Sequence, residues 1–311
     1  YDLIVTKEVI NFVPGIVPGI GMAMNCFTQK GDKVMIQPPV YHPFAWVTTR
    51  NERTLVINPL KWENGMYRMD LDAFREQIKG CKLFILCNPH NPGGVVWTEA
   101  ELRAIADICY DEKVLVFSDE IHADLTLPPH THRPFATVSE KARMNSVTFM
   151  SPSKAFNMPG LSASHALIFN EDLRKRFRIY MDAGELDMGH VFAFLSVEAA
   201  YSHGTEWLDQ CLAYIQGNID FVDDFLKNHA PKIKAIRPEA SYLVWLDCRE
   251  LKLSQKDLNE FFVDKAHLAL NDGEMFGKEG IGFMRLNVAS PRCIIEKAMK
   301  QLADAYQLYI K

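Results

Sequence analysis

The sequence predicts an α/β protein: a mostly parallel sheet flanked by helices, leading into a smaller α+β unit at the C-terminal end. Three observations carry this expectation. Short runs rich in Val, Ile, Leu and Phe recur between amphipathic stretches. These runs are apolar at consecutive positions rather than alternating ones, as strands covered on both faces are. From about residue 205 the pattern changes to longer helical stretches.

The elements follow in order. Behind Pro14, the small and apolar stretch PGIVPGIGMAM (14–24) reads as a helix whose first backbone N–H groups are free to receive a phosphate. Strands are expected at KVMIQ (33–37), TLVIN (54–58), KLFILC (82–87), KVLVF (113–117), SVTFM (146–150) and HALIF (165–169). Between the third and fourth, TEAELRAIADICY (98–110) is a helix, with Thr98 and Glu101 forming a capping box and Leu102, Ile105, Ala106 and Cys109 on one face. The stretch 206–229 reads as a connecting helix, followed by strand-like SYLVWLD (241–247) and FMRLNVA (283–289). This predicts a large domain over residues 1–205 and a connecting helix with a small C-terminal domain over 206–311. The chain opens at Tyr1 directly on a strand-and-turn pattern, which predicts a missing N-terminal segment.

Composition narrows the function classes. The 311 residues are 48% hydrophobic and 23% charged, ordinary for a folded chain of this size. A formal net charge of -5 offers no global positive field for a polyanion or an anionic membrane surface. Nucleic acid and membrane are therefore not expected partners. Seven cysteines, an odd number with no Cys-x-x-Cys, do not form the pattern of a disulfide framework or zinc knuckle, and a cytoplasmic location is expected. No apolar run reaches the roughly 18 to 20 residues of a membrane span.

Ligands of such sheets bind beyond the carboxyl ends of the strands, so the residues just after the apolar runs matter most. KLFILC is followed by NPHNPGG (88–94), KVLVF by SDEIH (118–122) and SVTFM by SPSK (151–154), three polar clusters at one edge. Lys154 follows a buried strand, where desolvation favours the neutral amine of a nucleophile or Schiff-base lysine; the alternative is an ordinary loop lysine. Asp119 is placed to hold a protonated ring nitrogen of a cofactor, or else to cap a turn. Asn91 sits in a turn dense in proline and glycine, of a shape that a cis proline gives, and its amide can bond a ring hydroxyl or simply close the turn. Gly15, Ile16 and Val17 open the small-residue helix, with no GxxxxGK or GxGxxG to mark a nucleotide loop. Tyr41 can stack on a flat ligand or pack internally. Arg285, inward on an expected strand, can pair bidentately with a carboxylate. His122, His130 and His132 with Asp124 are not read as a metal centre, because no helix fixes their geometry and no second ligand pair follows.

Taken together, NPHNPGG, SDEIH, SPSKAFNMPGL and FMRLNVA occur in that order, with Asp119 28 residues after Asn91 and Lys154 35 after Asp119. This constellation resembles the class I/II aminotransferase family of fold-type I pyridoxal-phosphate (PLP) enzymes, over essentially the whole chain. The resemblance implies a seven-stranded, mostly parallel sheet and pyridoxal 5'-phosphate as cofactor. It implies Lys154 as the Schiff-base lysine, Asp119 as partner of the pyridine nitrogen, Asn91 as partner of the O3′ hydroxyl and Tyr41 as the stacking ring. Gly15, Ile16 and Val17 align with the phosphate-cradling amides, Ser151 with a phosphate-binding hydroxyl, and Arg285 with the arginine that grips the substrate α-carboxylate.

Two departures point to a subfamily. Ser162 stands eight residues after Lys154, where many relatives carry an arginine for the phosphate, and His122 stands where many carry Tyr. With PPVYHPF, SDEIHADL and SKAFNMPGL, the chain looks most like the MalY/PatB-type cystathionine β-lyases. The implied reaction is β-elimination from a cysteine thioether, cystathionine giving homocysteine, pyruvate and ammonia. An aminotransferase is the alternative, and a catalytically silent regulatory protein that retains the fold is a third; the intact set of Lys154, Asp119 and Asn91 argues against the last. The resemblance also implies a homodimer with shared active sites. The family's N-terminal portion, which supplies a tyrosine to the partner's site, has no counterpart here. Without the usual arginine, the phosphate grip is expected to rest on amides, hydroxyls and the neighbouring subunit.

Overall fold

The computed structural model describes Tyr1 and residues 3–309. Its strands are β1 (Ile10–Val13), β2 (Lys33–Ile36), β3 (Thr54–Ile57), β4 (Lys61–Glu63), β5 (Met66–Arg68), β6 (Cys81–Cys87), β7 (Leu115–Asp119), β8 (Ser146–Met150), β9 (Ser164–Leu167), β10 (Lys234–Ile236), β11 (Leu243–Asp247), β12 (Asn271–Asp272) and β13 (Phe283–Asn287). Among the described residues, seven of them form one sheet in the order β1-β9-β8-β7-β6-β2-β3. Strands β3, β2, β6, β7 and β8 run parallel, while β9 is antiparallel to both its neighbours. The HALIF run thus departs from the other five. Residues 151–163, between β8 and β9, are turns and a short 3-10 helix, and without a crossover helix the chain returns antiparallel.

The consecutive apolar runs are explained by cover on both faces. The helices of this part are α1 (Ile16–Phe27), α2 (Pro43–Arg50), α3 (Leu71–Gln77), α4 (Glu99–Asp111), α5 (Glu140–Met144), α6 (Glu171–Asp182) and α7 (Val191–His203). On β6, Leu83 and Ile85 join a core with Ile20 and Met24 of α1 and Phe177 of α6. Phe84 and Leu86, alternating with them, pack against Phe74 of α3 and Leu102 and Ile105 of α4. The capping box of α4 forms as expected: Thr98 Oγ1 accepts from Glu101 N–H and the Glu101 carboxylate accepts from Thr98 N–H.

Helix α8 (Thr205–His229) opens the C-terminal part, with α9 (Gln255–Glu260) and α10 (Arg292–Tyr309). The second sheet, β10-β11-β13-β12, is antiparallel throughout. One face buries Val244, Leu246, Met284 and Leu286 under Ile219 and Val222 of α8 and Leu302 of α10. The other face carries Trp245, fully buried and stacked on Phe283 with ring centroids 5.2 Å apart. Its indole N–H donates to the Tyr67 hydroxyl of β5 over 3.2 Å, which ties the second sheet to the core of the first. Arg285 of β13 and Asp119 of β7 line one cavity between the two sheets.

All seven cysteines are free thiols. Among the described residues no helix is long and apolar enough to cross a membrane.

Candidate active site

The strand ends converge on a cavity of about 430 Å³. β6 delivers Asn91 four residues after its last residue, β7 ends on Asp119, and β8 is followed by the turn that holds Lys154. The N-terminus of α1 contributes Gly15, Ile16 and Val17, the approach to α2 contributes Tyr41 and His42, and the second sheet contributes Tyr242, Arg285 and Asn287. Gly15 precedes α1 at φ 143°, where L side chains are rarely found, and no side chain caps the helix. The first N–H groups of α1 therefore remain available at the cavity wall.

Burial sets the charge state of the site. Asp119 is almost fully buried, and desolvation pushes its carboxyl up to about 7 despite the Ile121 N–H it accepts at 3.1 Å; Glu120 pushes it further and Lys154 pulls it back. Desolvation, with Lys154 and Arg285 nearby, pushes His122 down to about 3, so its imidazole is neutral. The His122 Nδ1 is buried without a hydrogen-bond partner. Burial pushes Arg285 down to about 10. Its Nη1 donates to Asn91 Oδ1 at 2.9 Å and its Nη2 to Asn271 Oδ1 at 2.7 Å, while Nε is buried without a partner. Both acceptors are neutral amides, so the guanidinium retains a full charge for an anionic ligand.

Of the expected site residues, Gly15, Ile16, Val17, Tyr41, Asn91, Asp119, His122, Lys154 and Arg285 all line this one cavity. Ser151 does not. Its hydroxyl lies 2.7 Å from the Ala163 carbonyl and 2.9 Å from Ser153 Oγ. A hydroxyl has one proton, and the carbonyl can only accept it, so Ser151 closes the turn internally and Ser153 faces the cavity instead, with Ser162 and Ser164. The residues missed from sequence are His42, Ser153, Tyr242 and Asn287. Tyr242 carried a usable signal, since it precedes an apolar strand run just as Asn91 follows one. The histidines set aside as metal ligands have other partners: His132 Nε2 lies 2.8 Å from Glu120 Oε2, and His130 lies 3.7 Å from Glu239.

A primary amine, a buried carboxyl, a neutral imidazole, a guanidinium held by two neutral amides and an uncapped helix N-terminus thus share one enclosure. Such an arrangement suits an anionic aromatic ligand with a basic ring nitrogen, together with a second ligand bearing a carboxylate.

Comparison with known proteins agrees with this geometry. The model of the family described as aminotransferase class I and II matches residues 2–302. The cystathionine beta-lyase PatB of Bacillus subtilis (strain 168) is 39% identical over 303 residues, covering 97% of this chain and 78% of the relative. Protein MalY of Escherichia coli (strain K12) is 30% identical over 304 residues, covering 97% and 77%. Among solved structures, cystalysin from Treponema denticola, which contains a pyridoxal 5'-phosphate cofactor, superimposes with a TM-score of 0.96, with 35% identity over 99% of this chain and 78% of that one. With its fold, its cavity and its sequence pointing the same way, the chain belongs to the aminotransferase class I and II family.

Proposed function

We propose that the protein is a PLP-dependent carbon–sulfur β-lyase that cleaves cystathionine or a related cysteine thioether to a thiol, pyruvate and ammonia. The observation that carries this reading is that Lys154, Asp119, Asn91 and Arg285 line one cavity, with Arg285 donating to Asn91. The similarity to PatB, named a cystathionine beta-lyase, supports the choice of reaction.

The residues fit the cofactor. An uncapped helix N-terminus at Gly15, Ile16 and Val17, with the Ser153 and Ser162 hydroxyls, would receive the phosphate. Asp119, a buried carboxyl pushed up to about 7, gains a favourable ionic partner if a protonated ring nitrogen sits beside it. Asn91 would meet the ring hydroxyl, Tyr41 the ring face, and the unpartnered His122 Nδ1 the ring periphery.

When bound, PLP supplies an electron sink for the pair left at Cα as its proton departs. Lys154 would hold the cofactor through its amine and, once that amine is free, would take the Cα proton of the substrate. Asp119 would hold a protonated ring nitrogen. Arg285 grips the α-carboxylate and orients the Cα–H bond toward Lys154. Thiolate then leaves from Cβ, and the remaining fragment hydrolyses to pyruvate and ammonia.

We further infer a homodimer with shared active sites. Helix α7 and the residue run before it expose Met188, Val191, Phe192, Phe194 and Leu195, an apolar band that a second copy would cover. Residues 1–205 would act as the cofactor-binding domain and 206–311 as the connecting helix and small domain. A reducing cytoplasm suits seven free cysteines.

The test is incubation of the PLP-loaded protein with L-cystathionine and no keto acid, following pyruvate and free thiol together. Equal amounts of both, absent with Lys154→Ala, are expected. Neither product, but amino transfer once a keto acid is added, would move the assignment to an aminotransferase.

A further inference from the structure

Asp119 is the last residue of β7, and little holds its side chain directly. The hydrogen bond given to its carboxyl by the described residues is the Ile121 N–H at 3.1 Å. Its two chain neighbours are held far more firmly. Side chains alternate along an extended strand, so Ser118 and Glu120 share the face opposite Asp119. Glu120 Oε1 accepts from Ser118 Oγ at 2.8 Å and from Phe135 N–H at 2.8 Å. Glu120 Oε2 lies 2.8 Å from His132 Nε2, and both of these side chains are fully buried. The Glu120 N–H also continues the sheet ladder, donating to Phe149 O at 2.8 Å. The Glu120 carboxylate therefore ties the strand end to Ser118 and to the 132–135 loop, and the Glu120 backbone N–H ties it to β8.

The geometry points to Glu120, with His132 as its buried partner, as the positioning residue that fixes the aim of Asp119 into the cavity. With residues 118 and 120 pinned on the far face, the Cα–Cβ bond of Asp119 has one direction open to it. The inference rests on Asp119 holding the ring of PLP. The three partners satisfy both Glu120 oxygens in a fully buried place, so this side chain has little freedom to move. Its proximity also contributes to the raised position of the Asp119 carboxyl.

The test is a double-mutant cycle on PLP affinity, read from cofactor absorbance and Trp fluorescence in the wild-type protein and in Glu120→Ala, Glu120→Gln, Asp119→Asn and the Glu120→Ala/Asp119→Asn pair. Glu120→Ala is expected to weaken PLP binding about tenfold. Glu120→Gln, whose amide oxygen still accepts from Ser118 and Phe135, is expected to stay within about threefold of wild type. In the Asp119→Asn background the further effect of Glu120→Ala should shrink to less than about threefold, because the role passes through Asp119. An undiminished loss in that background, or no loss in Glu120→Ala alone, overturns the inference while leaving the cofactor assignment intact. A wild-type protein that binds no PLP overturns both. If Glu120→Ala does not fold, Ser118→Ala removes one of the ties and enters the same cycle with the same criteria.

Discussion

Arg285 and Asn91, 194 residues apart, are joined by one hydrogen bond in which Arg285 Nη1 donates to Asn91 Oδ1 over 2.9 Å. Arginine only donates, so this contact settles the Asn91 amide with its oxygen toward β13 and its NH2 group free for another acceptor. The residue expected to meet the cofactor's hydroxyl thus also steadies the residue expected to meet the substrate's carboxylate. The two binding events are linked through a single amide.

Asn91→Ala should therefore raise both the Kd for PLP and the KM for the thioether. Arg285 would keep its bond to Asn271 but lose its second anchor. An increase of about tenfold in KM is expected from loss of one charge-assisted hydrogen bond. Arg285→Lys should instead raise KM by about 10- to 100-fold and leave PLP affinity nearly unchanged, because a point ammonium cannot reproduce a forked guanidinium. Cofactor titration and initial rates, measured on the same preparations, separate these two patterns. Equal effects of both variants on both constants would contradict the proposed division of labour.

Asp119 makes the cofactor-free protein less stable as pH rises. Burial moves its carboxyl from 3.8 to about 7 on folding. Between those values the folded chain keeps a proton that the unfolded chain has released, so stability falls from about pH 4 to pH 7 and is level above. At 1.36 kcal/mol per unit the loss amounts to about 4 kcal/mol at most. Asp119→Asn removes it. Urea unfolding of the cofactor-free proteins should find the variant more stable at pH 8 by up to about 4 kcal/mol, with the difference closing near pH 4. Equal midpoints at pH 8 would show that the carboxyl is not desolvated as its burial implies.

Three histidines act with the opposite sign. Desolvation pushes His90 and His165 down to about 4 and His122 down to about 3, from 6.5. The unfolded chain takes up protons below 6.5 that the folded chain refuses, so their contribution is complete above pH 6.5 and is lost as pH falls toward 4. Together they contribute a slope of about 4 kcal/mol per pH unit, of which Asp119 cancels about a third over the same window. The measured slope of stability between pH 4.5 and 6 should therefore be steeper in Asp119→Asn than in wild type, and shallower in His122→Gln. An unchanged slope in both variants would mean that these groups titrate alike in the folded and unfolded chains.

Much of this site was legible before any coordinates because the relevant residues follow strand ends. Consecutive apolar runs marked the strands, and Asn91, Asp119 and Lys154 could be placed at one sheet edge by counting forward from them. What sequence could not convey were partners chosen by distance in space. Ser151 and Ser153 are equivalent on paper, and only the Ala163 carbonyl, 12 residues on, decides which hydroxyl turns inward. Likewise, the indole bond from Trp245 to Tyr67 spans 178 residues and the Arg285 bond to Asn91 spans 194, and both join the second sheet to the first part of the chain. The reversed direction of β9 had a weak local sign, the absence of a helical pattern between residues 151 and 163.

The Asn-Pro-His-Asn-Pro-Gly-Gly turn ends in a residue for which glycine is a steric requirement. Gly94 sits at φ +68°, and a Cβ there would come within 2.5 Å of Pro238 Cβ and 2.8 Å of Pro238 Cα. Its carbonyl accepts from Glu239 N–H at 2.8 Å and Ala240 N–H at 3.1 Å, just ahead of Tyr242 at the cavity wall. Gly94→Ala must displace the 238–240 segment, and a cost of about 2–4 kcal/mol is expected from the clash and the left-handed backbone together. Gly80→Ala is the matched control: its φ is +75°, but its Cβ would meet nothing within 4 Å, so only the backbone term of about 1 kcal/mol applies. The difference between the two urea midpoints isolates the close approach of the two loops. If Gly94→Ala costs no more than Gly80→Ala, the 238–240 segment yields freely and Tyr242 is not held at the site by this contact; a larger cost, accompanied by a raised KM, would place the turn among the supports of the substrate side of the cavity.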